Sequence, residues 1–167
     1  MSILNNFNDS LKTREVKNIS SLYKLQNKTD TEKIDDFILI GNFSHNIILK
    51  SIKLSTEKVL TGLVGDIVIL DKDKNEIKYF DSSQVEHTLS PLAEDVAFVK
   101  SSAEIKDKEI LDNSMKFKTL EEYILSEDTE RKSFSEPIFI AIKITTAPTS
   151  PVVDGKILAE IDFIEKI

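Results

Sequence analysis

Cysteine and tryptophan are absent from this chain of 167 residues, and histidine, glycine and proline are rare. Without cysteine there is no disulfide scaffold, thiolate zinc site, iron–sulfur cluster or cysteine nucleophile. The two histidines, His45 and His87, are too few for a zinc centre of three histidines within one chain. The four glycines do not have the spacing of the loops that bind nucleotide phosphates. The composition therefore excludes most familiar enzyme chemistries.

Positive charge and long apolar runs are also lacking. Lys and Arg number 22 against 29 Asp and Glu, a formal net charge of −7, which argues against binding to duplex nucleic acid. No apolar run approaches the roughly 20 residues that cross a bilayer, and the first residues lack the basic and apolar regions of a signal peptide. We therefore expect one globular domain with neither nucleic acid nor a membrane as a partner.

The polar segment 1–34 is predicted to be an N-terminal arm, followed by a domain over 35–167. It reads either as a partly disordered tail or as an arm that docks on a neighbouring subunit, and its apolar cluster around residues 16–25 fits a brief helix or a docked strand. If the arm docks, we expect it to make few contacts with its own domain and to be ordered by a neighbouring subunit of a homo-oligomer. Its apolar anchors would be Ile3, Leu4, Phe7, Leu11, Val16, Ile19, Leu22 and Leu25.

Period-2 and β-branched runs dominate the rest of the chain. Strands are predicted over Asp36–Gly41 (fully buried), Asn46–Leu54, Asp66–Leu70, Ile77–Phe80, Ala93–Val99, Ser114–Thr119, Pro137–Thr145 and Lys156–Ile164. One short helix is expected at Thr119–Leu125, with Thr119 as its cap, inside a variable insertion near 85–135. The last two strands, joined by a ten-residue loop, are expected to pair antiparallel. Their inward residues would be Ile140, Ile142, Ile144, Ile157, Ile161 and Phe163. The fold class is therefore all-β, an antiparallel β-sandwich of jelly-roll type with one short helix and the polar arm.

The polar motifs provide no catalytic, cofactor-binding or metal-ligating residues. Asp71–Glu76 begins like a calcium loop, but Glu76 stands where that loop requires glycine, so we predict a hairpin turn from Ile67–Leu70 to Ile77–Phe80. Both histidines are expected to be surface residues. The adjacent acidic pairs 94–95, 121–122 and 127–128 do not make a glycosidase dyad, because sequence neighbours do not point the same way. They are predicted to form a solvated acidic face.

Three segments occur in an order that resembles the small β-sandwich virion structural proteins of tailed phages, which decorate heads or fill connectors. The segments are Leu49–Leu54, then Thr61–Asp66 with Asp71, then Ile144–Ala147 with Gly155–Phe163. The resemblance covers about 37–82 and 137–165 and leaves the middle unmatched. It implies a structural role in the virion, partners among the capsid or portal and neck proteins, and no catalytic residues.

The favoured hypothesis is accordingly a non-enzymatic virion protein that docks in many copies on a capsid or neck. Capsid decoration, connector and tail fibre stay open, as do copy number and symmetry. The alternative is a ligand- or carbohydrate-binding module of fibre or receptor-binding type. It is disfavoured because sugar platforms use exposed aromatic rings, and the chain has no tryptophan and only three tyrosines, Tyr23, Tyr79 and Tyr123.

Overall fold

A computed structural model describes residues 15–26, 32–58, 62–98, 104–148 and 154–166. They form strands, one 3₁₀ helix at Asn113–Phe117 and one α-helix, α1, at Leu120–Glu127. The strands are β1 (Lys17–Lys24), β2 (Phe37–Phe43), β3 (Ile47–Glu57), β4 (Val64–Leu70), β5 (Lys78–Phe80), β6 (Glu86–Thr88), β7 (Ala93–Ala97), β8 (Lys108–Glu109), β9 (Ile138–Thr146) and β10 (Lys156–Glu165).

Eight of these strands form two four-stranded antiparallel sheets that pack face to face. Sheet I has the order β1-β10-β3-β8, sheet II has the order β2-β9-β4-β7, and β5 pairs with β6 in a separate hairpin. The strands pair from the two ends of the chain toward its middle: β1 pairs with β10, β2 with β9, β3 with β8 and β4 with β7. These nested pairs have the arrangement of one long hairpin that is folded over to form two sheets, which is the jelly-roll topology. The predicted jelly-roll sandwich is therefore confirmed.

The core lies between the sheets and is dominated by isoleucine. The inward residues of β9 alternate with outward ones, and Ile140, Ile142 and Ile144 are fully buried. On β10, Ile157, Ile161 and Phe163 are buried as predicted. Burying each such side chain stabilises the fold by about 1.5–3 kcal/mol.

Strand β3 changes its inward face partway along. Pairing with β10 skips Lys50, so Leu49 faces Phe163 while Ser51 faces Asp162. Because this bulge inserts one residue, Ile47 and Leu49 are inward before it and Ile52, Leu54 and Thr56 after it. A single alternation of inward and outward residues along the whole strand is therefore wrong for β3. The strand also continues through Glu57 rather than ending at Leu54.

The last two strands do not pair with each other, contrary to the prediction. β9 lies in sheet II and β10 in sheet I, so their connection crosses between the sheets. Alternation showed that each strand has one buried face, and both strands do face the same core. The alternation pattern does not indicate which of the two sheets each strand belongs to.

The helical segment closes one end of the sandwich. The strand predicted at Ser114–Thr119 is instead the 3₁₀ helix, which begins where the Asp112 carboxylate accepts the Ser114 N–H at 2.8 Å. The predicted helix is confirmed as α1: the Thr119 hydroxyl accepts the Glu122 N–H at 3.1 Å, and the Glu122 carboxylate accepts the Thr119 N–H at 3.2 Å. Its buried residues Leu120 and Ile124 hold the helix on the core.

Part of the proposed arm belongs to the sandwich. β1 pairs with β10 along its whole length, Ile19 packs against the core, and Leu25 is buried in it. The expectation that residues 1–34 make few contacts with their own domain is therefore wrong for this strand. An edge strand needs apolar side chains only on its inward face, so a segment this polar still forms one. The anchors Ile3, Leu4, Phe7 and Leu11 lie outside the described residues.

Candidate interaction surface

The Asp71–Glu76 segment is a turn, as predicted. One carboxylate oxygen of Asp71 accepts the backbone N–H of Asp73 at 2.8 Å and of Asn75 at 3.0 Å. The strand that follows pairs with β6 rather than β4, so the predicted hairpin partner is wrong; a single bridge joins Leu70 to Glu76. Within the described ranges, no three His, Asp or Glu side chains gather closely enough to hold a metal ion.

The two histidines have structural contacts. Nε2 of His87 lies 2.8 Å from the Asp81 carboxylate, and its ring stacks on Tyr79 with the centroids 5.3 Å apart. The hydrogen bond from His87 lowers the pKa of Asp81, which also accepts two backbone N–H groups of the turn between β5 and β6. His45 lies in the turn between β2 and β3, where its carbonyl accepts the Glu121 N–H at 2.9 Å. These contacts order a hairpin and seat α1.

The acidic residues of α1 are bound to the backbone rather than simply solvated. Glu121 accepts the Phe134 N–H and Glu127 accepts the Ser90 N–H, each at 2.9 Å, while Glu122 closes the cap described above. Each carboxylate therefore fastens a different segment to the helix. Glu122 is exposed and Glu121 and Glu127 are partly exposed, so the predicted solvated acidic face is wrong only for Asp128, which is buried. The separate partners of the three glutamates do not bring a carboxylate pair together.

A buried carboxylate fixes the corner between β1 and β2. Glu32 is buried, and one of its oxygens accepts both the Tyr23 hydroxyl and the Gln26 N–H at 2.8 Å. Burial, followed by the hydrogen bond to Glu32, raises the pKa of Tyr23. A shallow cavity lies beside this group, next to Asp36 and Phe37. No pattern in the sequence pointed to Glu32, which lies in the polar segment assigned to the arm.

Exposed apolar side chains concentrate around the edge where β1 and β2 lie side by side. The Ser21 hydroxyl donates to the Ile40 carbonyl at 2.7 Å and joins the two strands there. We call the exposed residues of this edge the β1–β2 side: Val16 (61% exposed), Leu22 (58%), Ile34 (58%), Phe37 (36%) and Leu39 (40%). The other large apolar residues exposed in the described ranges are Phe80, Val85 and Phe117. The sequence predicts Val16 and Leu22 as anchors that bind a partner. It also predicts that β2 is fully buried, and the exposure of Phe37 and Leu39 shows that this prediction is wrong.

The outer face of sheet II is partly covered beyond its β2 edge. The turn after β4 folds over it, with the Lys74 ammonium 5.5 Å from the Phe139 ring centroid and the Lys143 ammonium 2.7 Å from the Glu76 carboxylate. That hydrogen bond raises the pKa of Lys143. Ala141 is fully buried beneath this cover. The exposed apolar area of the sheet is therefore confined to its β2 edge.

No family model matches the chain, and searches of curated proteins and of solved structures find no significant match. Among the described residues, no helix has both the length and the apolar character to cross a membrane.

Proposed function

We propose that this protein is a non-enzymatic structural protein of a bacteriophage virion that docks in many copies on the capsid or neck. The observation that carries the proposal is the β1–β2 side. Five of the eight large apolar side chains exposed in the described ranges lie around one edge of the sandwich. Leu22 lies on the outer face of sheet I, and Phe37 and Leu39 lie on the outer face of sheet II, so these side chains flank one edge of the sandwich from both faces. Exposed apolar residues that gather in one region are typical of protein–protein contact, whereas scattered ones need no explanation.

The location of the phage-like segments gives a second support. They fall on β3, β4, β9 and β10, which are the central strands of the two sheets. Their residues serve the framework: a Cβ on Gly65 would lie 2.6 Å from Ile142 Cγ2, and Asp71 orders the turn that covers sheet II. A protein with this framework in its central strands can carry its binding surface on the edges.

Docking through this side requires little rearrangement. Leu22, Phe37 and Leu39 project from strands whose inward residues are anchored in the core, so they lose little backbone freedom on binding. On a symmetric shell every copy would make the same contact, so a small binding free energy per copy would suffice for stable attachment.

The test is incorporation into particles. The tagged chain would be expressed during phage production in the cell that encodes it, and purified particles would be assayed for it by quantitative mass spectrometry. We expect a fixed number of copies per particle, and loss of incorporation for the double variant Phe37→Lys, Leu39→Lys. The control Phe117→Lys changes an exposed aromatic residue away from the β1–β2 side and should incorporate normally.

Two results would contradict the proposal. One is absence of the folded wild-type chain from all particle fractions. The other is specific binding to a glycan array without particle incorporation, which would favour the carbohydrate-binding alternative. The three tyrosines speak against that outcome: Tyr23 bonds to Glu32, Tyr79 stacks on a histidine, and the Tyr123 hydroxyl donates to the Ser90 carbonyl at 2.6 Å.

A further inference from the structure

Edge strands are templates for pairing with another chain, and folded proteins commonly protect them. Three of the four sheet edges in the described ranges have such protection. β2 and β7 each pair across a register shift, and β8 has only two residues. β1 differs: it has eight residues, an unbroken register with β10 and no proline.

No strand among the described residues covers the outer edge of β1. β1 stands at the end of sheet I, and within the described ranges the backbone hydrogen bonds of its eight residues go to β10 alone. Its outward side chains, including Leu22, are exposed. The N–H and C=O groups along this edge can therefore accept a further strand.

The sequence of β1 is complementary to itself in one antiparallel register. A two-fold pair centred on Ile19 places Val16 opposite Leu22 of the second copy, and the reverse contact follows by symmetry. The two most exposed apolar residues of this edge then cover each other. Moving the centre by one residue, to Ser20, would place Val16 opposite Lys24 instead.

Within β1, the register centred on Ile19 places polar residues opposite polar residues. Lys17 lies opposite Ser21 of the second copy, so the lysines within the strand do not face each other. Asn18 lies opposite Ser20, a pair of polar side chains able to hydrogen-bond across the strands.

We propose that two copies of this chain associate through antiparallel pairing of β1 with β1, centred on Ile19, to form one continuous eight-stranded sheet. The proposal does not rest on the virion assignment, because the contact is made by two isolated copies. It also replaces docking of a free arm by addition of strands that are already formed.

The outer face of sheet I supplies the apolar surroundings for this contact. Ser55, Leu158 and Leu22 form one cross-strand row over β3, β10 and β1. They line a shallow groove of about 230 Å³, together with Thr56, Glu57 and Lys156. Val16 of the second copy would extend this row by one strand and pack beside Leu22.

The interface is small, since it consists of one strand edge and two apolar contacts. Stable homodimers bury more than about 1,200 Å² in total, so we expect concentration-dependent association rather than a permanent dimer. Several such contacts in a larger assembly would reinforce each other. The test must therefore capture a transient pair.

Cysteine trapping tests both pairing and register, because the chain has no native cysteine. Val16→Cys and Leu22→Cys variants would be mixed and oxidised. Directly opposite residues are close enough for a disulfide, while residues displaced along the strands are not. We expect about tenfold more covalent dimer from the mixture than from either variant alone, because strand pairing replaces chance collision.

Mixtures for the adjacent registers serve as controls. Val16→Cys with Ser20→Cys reports a centre at Asn18, and Asn18→Cys with Leu22→Cys reports a centre at Ser20. Greater trapping in either mixture would overturn the Ile19 register. Equal trapping in every mixture and in the single variants would overturn strand pairing altogether.

Sedimentation of the full-length chain provides an independent measurement. Wild-type protein should associate as its concentration rises, and Leu22→Lys should remain monomeric, with an unchanged circular dichroism spectrum. Leu39→Lys makes the same chemical change on β2 and should associate like wild type. If Leu39→Lys abolishes association and Leu22→Lys does not, the interface lies on sheet II and the proposal is wrong. A wild-type chain that stays monomeric and yields no trapped dimer would also overturn it, without bearing on virion incorporation.

Discussion

The four central strands and the β1–β2 side differ in what lies next to them. β3, β10, β4 and β9 have a strand on both sides, and the outer face of sheet II is partly covered by the turn after β4. β1 and β2 have one partner each in their sheets, and their outward apolar residues are exposed. Both regions contain alternating strands, so the difference in burial comes from their neighbours rather than from local pattern.

This contrast separates residues that make the fold from residues that are free to bind. A central strand is constrained on its inward face, along both edges and often on its outward face. At an edge strand the outward face and one edge carry no such constraint. The core residues of β9 and β10 lie in the constrained region, and the candidate interaction surface lies in the free one.

The largest expected effect is at Ile142, in the middle of β9. Its side chain is fully buried, so Ile142→Ala should lower the free energy of unfolding by about 2–5 kcal/mol through lost burial and an unfilled cavity. Urea denaturation followed by circular dichroism measures this change. Ile142→Val, which removes one methyl group, should cost about 0.5–1.5 kcal/mol. An unchanged midpoint for the alanine variant would contradict the assignment of this residue to the core.

A smaller effect is expected where two central strands approach closely. A Cβ on Gly65 would lie 2.6 Å from Ile142 Cγ2 and 2.9 Å from the Lys143 carbonyl oxygen. Gly65→Ala should therefore destabilise the protein by about 1–3 kcal/mol through overpacking. The double variant with Ile142→Ala removes one of the two clashing groups. Its destabilisation should be less than the sum of the single effects, and strict additivity would show that the strands separate to admit the methyl group.

The sequence predicts best what is decided locally. The Thr119 cap and the stripe containing Leu120 and Ile124 lie within a few residues of each other, and they located α1 correctly. The inward faces of β9 and β10 were also found, because each strand alternates for most of its length. These features together were enough to predict an all-β sandwich.

Pairing and bulges depend on residues distant in sequence. Alternation in β9 and β10 is equally compatible with one sheet or two, and the choice depends on the partners β2 and β3. The bulge at Lys50 reverses the inward face of β3 without any local signal. Likewise, the sequence of β1 predicts a free arm, because its inward residues reach the core only when β1 pairs with β10, which is distant in sequence.

The candidate surface was partly visible in the sequence. Val16 and Leu22 were named as partner-binding anchors, and both are exposed. Phe37 and Leu39 were missed because an unbroken apolar run indicates a strand buried on both faces, and the sequence does not show that β2 lies at an edge. The buried Glu32 was missed for the opposite reason, since its neighbours in sequence are polar.

The Tyr23 hydroxyl tests the corner where the two regions meet. Tyr23→Phe removes a hydrogen bond to the buried Glu32 and should cost about 1.5 kcal/mol near neutral pH. The raised pKa of Tyr23 adds a dependence on pH. Above about pH 10 an unfolded tyrosine loses its proton while the folded one retains it, so wild-type stability falls as pH rises.

The measurement is the free energy of unfolding of both proteins from pH 7 to pH 11. Tyr79 and Tyr123 titrate in both, so the difference between the curves isolates Tyr23. We expect the curves to converge above about pH 10 as the wild-type advantage is lost. Parallel curves would show that this hydroxyl titrates alike in folded and unfolded chains, and would contradict its burial against Glu32.

The smallest effects on stability are expected on the β1–β2 side itself. Leu22→Lys and Leu39→Lys place a charge at exposed positions outside the core, so each should change the free energy of unfolding by no more than about 0.5 kcal/mol. Denaturation must be measured at concentrations low enough to keep the chain monomeric, because association through β1 would otherwise add to the apparent stability of the wild type. A loss comparable to that of Ile142→Ala at either position would place its side chain in the core. It would then remove the distinction between a region that makes the fold and a region that is free to bind. Near-neutral stability with altered association for Leu22→Lys alone would assign the two leucines different roles, although both are exposed on edge strands.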